Sequence, residues 1–448
     1  MNQIKTGEHS EKERRKQVKK VAVASVVGTS IEWYDFFLYG TMSALVFPKL
    51  FFPQADPFIN ILQSFTVFFL GFLARPIGAM IFGHFGDRIG RKATLVTTLM
   101  FMGISTVLIG LLPTYESIGM AAPILLILLR MCQGIGVGGE WGGSVVLSTE
   151  WSSKKRRGLM GSMTQLGVPI GLLTSTLIIT LCIQLTGSGF DSWGWRIPFI
   201  LSAVLIGVGL YIRLGIMDSP QFTRLKQENR IVDRPVLEAL KKHPKEIVLT
   251  ACARLVEQVP FYIFTTFVIT YGTEELKLDK QIFTNGVMVA ACIELFVIPY
   301  FAHLSDRVNR KKIYILGSLL TIVFAFPFFM MIDTGNPVFI ILAIALSIIG
   351  PAMAYGPQAA LIVESFPIHL RYTGSSLGFH FASVIGGGIA PLFSAYLFHK
   401  YGSTNQISVY IIVVCIISII SVSMLKKNTA ENAEERMESV QQNLSNYS

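Results

Sequence analysis

Charge is scarce in this chain: Asp, Glu, Lys and Arg together make up only 15% of 448 residues, against a hydrophobic share of 52%. A water-soluble domain carries roughly a quarter of its residues charged, so one core wrapped in a polar surface is excluded. Cysteine is also sparse. The five, Cys132, Cys182, Cys252, Cys292 and Cys415, lie inside apolar runs without close pairing, which reads as packing rather than disulfide or metal chemistry. No Gly-x-x-x-x-Gly-Lys-Ser/Thr occurs and no Lys directly follows a Gly, so nothing cradles the phosphates of ATP. Metal-ligand spacing, a nucleophile–base arrangement and a cofactor loop are absent too, which argues against an enzyme and for no cofactor. The first twenty residues are polar, unlike a cleaved signal peptide.

What the chain has in abundance is long apolar runs. About twelve can be marked off, each near the ~20 residues that an α-helix needs to cross a ~30 Å hydrocarbon core. The expected fold is all-α integral membrane, with about twelve transmembrane helices in two six-helix bundles. The divisions are a tail at 1–20, a bundle at 21–216, a central loop at 217–246, a bundle at 247–425 and a tail at 426–448. The net charge of +10 does not signal nucleic acid, because the basic residues are segregated. They crowd the N-terminal tail, every second loop and Lys426-Lys427, whereas the alternate loops hold Lys49, Lys277, Lys280 and Lys400. By the positive-inside rule both termini lie in the cytoplasm. The sequons at Asn443 and Asn446 would then carry no glycan.

An internal repeat divides the chain. Gly83-His84-Phe85-Gly86-Asp87-Arg88-Ile89-Gly90-Arg91-Lys92 returns as Ala302-His303-Leu304-Ser305-Asp306-Arg307-Val308-Asn309-Arg310-Lys311. Each copy joins two apolar runs, the mark of a duplicated bundle. Asp87 is placed to meet the positive N-terminus of a neighbouring helix. Arg88 and Arg91 can reach Glu150, with Asp306, Arg307 and Glu364 arranged alike in the second half. Glu150 to Arg157 and Glu364 to Arg371 repeat a spacing of seven. These groups form a candidate cytosolic gate.

Ionisable residues inside the runs mark the candidate site, since charge at that depth is costly and usually faces a wet cavity. Glu32, Asp35 and Tyr39 share one helical face, as do Arg130, Gln133 and Glu140. Packing acids bonded to neighbouring helices are the alternative for Glu32 and Asp35. Arg254 and Glu257, one turn apart, form either a self-satisfied ion pair or part of a binding site. Glu294 stands alone, and His380 reads as a hydrogen-bonded interhelical histidine ahead of a proton site. Gly134, Gly138 and Gly142 suit close helix approach. The pattern Gly134-x-Gly136-x-x-Gly139 lies within an apolar helix that carries Arg130, which excludes a nucleotide loop. Gly167-Val-Pro169-Ile-Gly171 predicts a kink.

The Asp-Arg-x-Gly-Arg-Lys loop and its copy resemble the signature loop of the major facilitator superfamily. Glu32-Trp-Tyr-Asp-Phe-Phe-Leu-Tyr-Gly40, Arg75-Pro76, Gly138-Gly-Glu-Trp-Gly-Gly143, Trp193-Gly-Trp-Arg-Ile-Pro-Phe199 and Asp218-Ser-Pro-Gln-Phe222 are similar to its metabolite:proton symporter family. That family includes shikimate, α-ketoglutarate and proline/betaine permeases. Two departures stand out, Asp218 for the usual Glu and Asn309 for Gly, and the second implies a looser turn.

The resemblance implies alternating access around a midplane site in a bacterial inner membrane. Its partners are a small organic acid or zwitterion, protons and the lipid bilayer, and a monomer suffices. Arg130 and Arg254 are expected on the substrate carboxylate, with Gln133, Tyr39, Gln165 and Tyr262 beside them. Asp35 is expected to carry the coupling proton, with Glu32, Glu257 and Glu294 as alternates. An exporting antiporter and a non-transporting membrane sensor are the competing functions.

Overall fold

The computed structural model describes residues 11–53 and 57–426. Among the described residues there is no strand, and twelve helical spans are long and apolar enough to cross a membrane. In the first half they are α1 (Lys12–Leu45), α2 (Gln63–Arg88), α3 (Arg91–Leu111), α4 (Ala121–Trp151), α5 (Lys154–Gly194) and α6 (Arg196–Leu214). In the second they are α7 (Pro244–Glu275), α8 (Lys280–Arg307), α9 (Arg310–Ile332), α10 (Pro337–Glu364), α11 (Ile368–Tyr401) and α12 (Asn405–Met424).

Side-chain size along the helices decides which pairs come close. A Cβ on Gly134 of α4 would stand 2.3 Å from the carbonyl oxygen of Gly71 in α2, and one on Gly138 would stand 2.2 Å from that of Arg75. Only glycine allows those backbones to touch. Gly142, the third of the spacing, faces Ser376 of α11 instead, so the stripe serves two partners. α5 breaks at Leu166, between helical stretches ending at Gln165 and starting at Gly167. Just past that break it lies against Thr29 and Trp33 of α1.

The packing repeats with a shift of six helices. Contacts α2–α4, α3–α4, α1–α5 and α3–α6 in the first bundle recur as α8–α10, α9–α10, α7–α11 and α9–α12. The bundles meet through α2 against α11 and, equivalently, α8 against α5. The fold is therefore two six-helix bundles. Large apolar side chains such as Leu185, Phe296 and Val323 point outwards, while many charged and hydroxyl groups are buried. That inversion suits a surface facing lipid.

The central loop contains two short helices, Pro220–Gln227 and Pro235–Lys242. The segment expected as a polar tail is helical from Glu11 onward and continuous with the first span. Its Glu, Lys, Arg and Gln are good helix formers, so the helix runs on beyond the apolar stretch. Residues 1–10 and 427–448, with Asn443 and Asn446, lie outside the described residues.

Candidate substrate and proton site

One buried cavity lies at mid-height in the first bundle. It is lined from α1 by Glu32, Asp35 and Phe36, from α2 by Gly71 and Arg75, and from α3 and α4 by Met102, Arg130, Gln133, Gly134 and Val137. Four of the ten lining residues are charged and a fifth, Gln133, is an amide, a concentration of polar groups that is costly within a membrane and marks a functional site.

Its two guanidiniums rest on aromatic faces rather than on acids. Arg130 lies 4.1 Å from the Tyr39 ring centre and 5.0 Å from that of Phe68. Arg75 lies 4.6 Å from Phe72 and 4.9 Å from Phe36. Arg130 donates to Gln133 Oε1 at 3.0 Å. Neither arginine makes an ion pair among the described residues, and Arg75 makes no hydrogen bond there either. Their counter-charges, Glu32 and Asp35, share the cavity without touching them, so the guanidinium donors stay open to an anion that enters as an acid takes up a proton.

The two acids differ sharply. Asp35 accepts from Thr106 Oγ1 at 2.8 Å and from Ser202 Oγ at 2.7 Å. Gln133 Nε2 in turn donates to Thr106 Oγ1 at 2.6 Å. Both ends of the Gln133 amide are thus committed, and a chain runs from Arg130 through Gln133 and Thr106 to Asp35. Glu32, although 3% exposed, has a buried Oε2 without a partner and makes no ion pair among the described residues.

The residues expected from the second bundle lie off this lining. Arg254 faces Glu257, with Nε 3.5 Å from Oε2, and gives Nη1 to the Phe379 carbonyl at 3.1 Å. Tyr262 approaches from across the bundle boundary, its ring 6.1 Å from Phe72, with its hydroxyl unpartnered. Gln165 gives its amide N–H to the Tyr355 carbonyl and so ties α5 to α10. Glu294 is buried without a hydrogen bond or ion pair among the described residues. His380 departs from its expectation: neither ring nitrogen has a partner among the described residues.

The sequence reading missed Arg75, Thr106 and Ser202 as site residues. Arg75 left a usable signal, a lone charge deep in an apolar run. The hydroxyls left none, because most helical Ser and Thr bond back to their own turn.

At the loop face the repeat is realised almost atom for atom. Asp87 accepts the backbone N–H groups of Tyr372, at 3.3 Å, and Thr373, at 2.9 Å, at the start of the helix Arg371–Ser383. Asp306 accepts those of Gly158, at 2.8 Å, and Leu159, at 2.9 Å, at the start of Arg157–Gln165. Each acid therefore caps a helix of the opposite bundle. Arg91 lies 3.4 Å from Asp87 and 3.6 Å from Glu150, and Glu150 lies 3.4 Å from Arg371. Arg310 likewise joins Asp306 to Glu364, which faces Arg157 at 4.0 Å.

Arg88 and Arg307 do not join these networks. Arg88 reaches only the exposed Asp233, at 3.9 Å, and Arg307 is exposed without an ion pair among the described residues. Arg88 and Arg307 are the last residues of their helices, next to the acid and on another face, whereas Arg91 and Arg310 open the following helices and the turn between brings them back onto the acid.

The sequence model of the Major Facilitator Superfamily matches residues 36–391. The chain belongs to that superfamily. The inner membrane metabolite transport protein YhjE of Escherichia coli is 43% identical over 391 residues, 86% of this chain and 88% of its own. The shikimate transporter of Escherichia coli is 39% identical over 415 residues, covering 92% and 95%. The proline/betaine transporter of the same organism is 32% identical over 426 residues, covering 92% and 84%. These relatives match the metabolite-transporting branch that the motifs imply, and they make this chain a transporter rather than an enzyme. The proton:xylose symporter XylE shares the fold, with a TM-score of 0.75 at 14% identity, covering 92% of this chain and 97% of its own.

Proposed function

We propose that this transporter imports a small organic acid together with protons, by alternating access in a bacterial inner membrane. One observation carries the reading: Arg75 and Arg130 line a single buried cavity with Glu32 and Asp35, and neither arginine is ion-paired among the described residues. A carboxylate bound there meets planar donors suited to two-point recognition. Among the substrates that the relatives' names suggest, a shikimate-like acid fits better than a betaine. The aromatic faces that would seat a quaternary ammonium already carry the protein's own guanidiniums.

Asp35, held by the Thr106 and Ser202 hydroxyls, carries the coupling proton, and Glu32, which faces the cavity without a donor, is the alternate. The loop face is the cytoplasmic face, with both termini on it. The helix-capping acids and their arginines close that face between cycles, and they must part for the cavity to open inwards.

The test is uptake into proteoliposomes under an inward proton gradient, with shikimate, succinate, benzoate, proline and glycine betaine compared. Accumulation of a carboxylate but not of betaine is expected. Gradient-driven efflux from loaded vesicles instead would replace the symport reading with antiport.

A further inference from the structure

The chain from Arg130 to Asp35 is more than packing. Resting on the symport reading, we propose that Gln133 and Thr106 are the positioning residues that link substrate binding to proton binding. Every member is at least nine-tenths buried: Asp35, Thr106, Arg130, Gln133 and Ser202 are all 5% exposed or less. No ion pair joins Arg130 directly to Asp35, so the two charges communicate through an amide and a hydroxyl.

The hydrogens can be counted. With Asp35 ionised, the positive Arg130 polarises the Gln133 amide, which makes its Nε2–H a stronger donor to Thr106. Thr106 in turn donates more strongly to Asp35 Oδ2. Such chains reinforce along their length, and this one favours the ionised acid. A substrate carboxylate on Arg130 cancels the charge at the head of the chain, and the support for ionised Asp35 relaxes. A proton arriving from cavity water can then settle on Oδ2.

The new Oδ2–H must point at Thr106 Oγ1, so Thr106 has to turn its own hydrogen elsewhere. An acceptor is in place, the Met102 carbonyl at 3.1 Å. The Thr106 oxygen then accepts from both Asp35 and Gln133, which uses its two lone pairs. Both protonation states are fully bonded, and the switch is one hydroxyl rotation. By reciprocity, a bound proton helps substrate bind by the same factor.

The surroundings of Asp35 allow this reading. Arg130 of α4 and Arg75 of α2 share its cavity with Glu32, and Tyr34 lies beside it on α1, with Cys182 of α5 beyond. From α3 and α6 come only the hydroxyls Thr106 and Ser202.

The test measures binding of shikimate, succinate and benzoate to the reconstituted transporter at pH 6 and pH 8. In the wild type the acid that binds should do so about tenfold more tightly at the lower pH, a usual coupling size. Gln133→Leu and Thr106→Val should bring that ratio close to one, while Thr106→Ser, which keeps the hydroxyl, should preserve it. If Thr106→Val does not fold, Gln133→Leu and Thr106→Ser decide. A wild-type ratio that survives Gln133→Leu overturns the relay alone. A wild type with no pH dependence sinks the symport reading and the relay with it. Binding of none of the three acids removes the carboxylate reading, and again the relay.

Discussion

The two bundles agree at the loop face and part company at mid-height. At the loop face, Asp87 with Arg91 and Asp306 with Arg310 cap opposite helices in matching ways. At mid-height, the first bundle holds a cavity whose two guanidiniums have no ion pair among the described residues, whereas the second has paired Arg254 with Glu257 internally. A machine that must open on both sides needs matched hinging parts in each half. Binding has no such need, and one bundle can specialise while the other supplies a wall.

The largest effect should come from breaking that asymmetry. Arg130→Lys loses the planar fork and is expected to weaken carboxylate binding by about 2 kcal/mol, roughly thirtyfold. Arg254→Lys should change it by less than about threefold, because its partners lie within its own bundle. Isothermal titration of both purified variants checks this. Equal losses would return Arg254 to the site and dissolve the contrast.

Next in size are the capping acids. Asp87→Asn and Asp306→Asn each weaken charge-assisted bonds to two backbone N–H groups, worth about 1.5 kcal/mol or more. Both should lower uptake by about tenfold and leave equilibrium substrate binding nearly unchanged. Binding that falls in step with uptake in either variant would show that the loop face also shapes the cavity.

The smallest effect sharpens the one difference between the loops. Gly90 sits at φ +133, and a Cβ there would stand 2.2 Å from the Asp218 carboxylate, which accepts the Arg91 N–H at 3.1 Å. Asn309 instead has φ −62 and caps its own helix by accepting the Lys311 N–H at 3.0 Å. Gly90→Ala should therefore cost about 1–3 kcal/mol of stability, and Asn309→Ala about 1 kcal/mol. Thermal unfolding in detergent ranks them. A more harmful Asn309→Ala would mean that its cap carries more than its own helix end. The looser turn expected at Asn309 is thus a differently capped one.

The fold was legible because membrane burial writes itself into composition. Long apolar runs, the alternating placement of Lys and Arg, and the duplicated loop each report on one dimension of the bundle. The acids and Arg130 were legible for a related reason, since lone charges in hydrocarbon seldom occur without cause. Partner choice was not legible. Whether Arg130 finds Arg75 or Arg254 beside it depends on how α2 and α4 meet over Gly134 and Gly138, which no spacing along one helix records. Thr106 and Ser202 were invisible because a hydroxyl that bonds across helices looks, in sequence, like one that bonds back.

The continuation of the first helix below its apolar stretch has a mechanical consequence. At about 1.5 Å per residue, Lys12 stands roughly 30 Å along the axis from Glu32. A rigid rod of that length is a lever arm. A bundle tilt of about 15°, ordinary for rigid-body switching, would swing its tip by about 8 Å while the cavity walls barely shift. The Lys20 ammonium ties the rod to the Gly215 carbonyl at 3.1 Å, so it moves with α6 rather than flexing alone. A probe fixed near its tip would magnify the rocking of the first bundle and give a gauge of bundle angle that needs no label near the cavity.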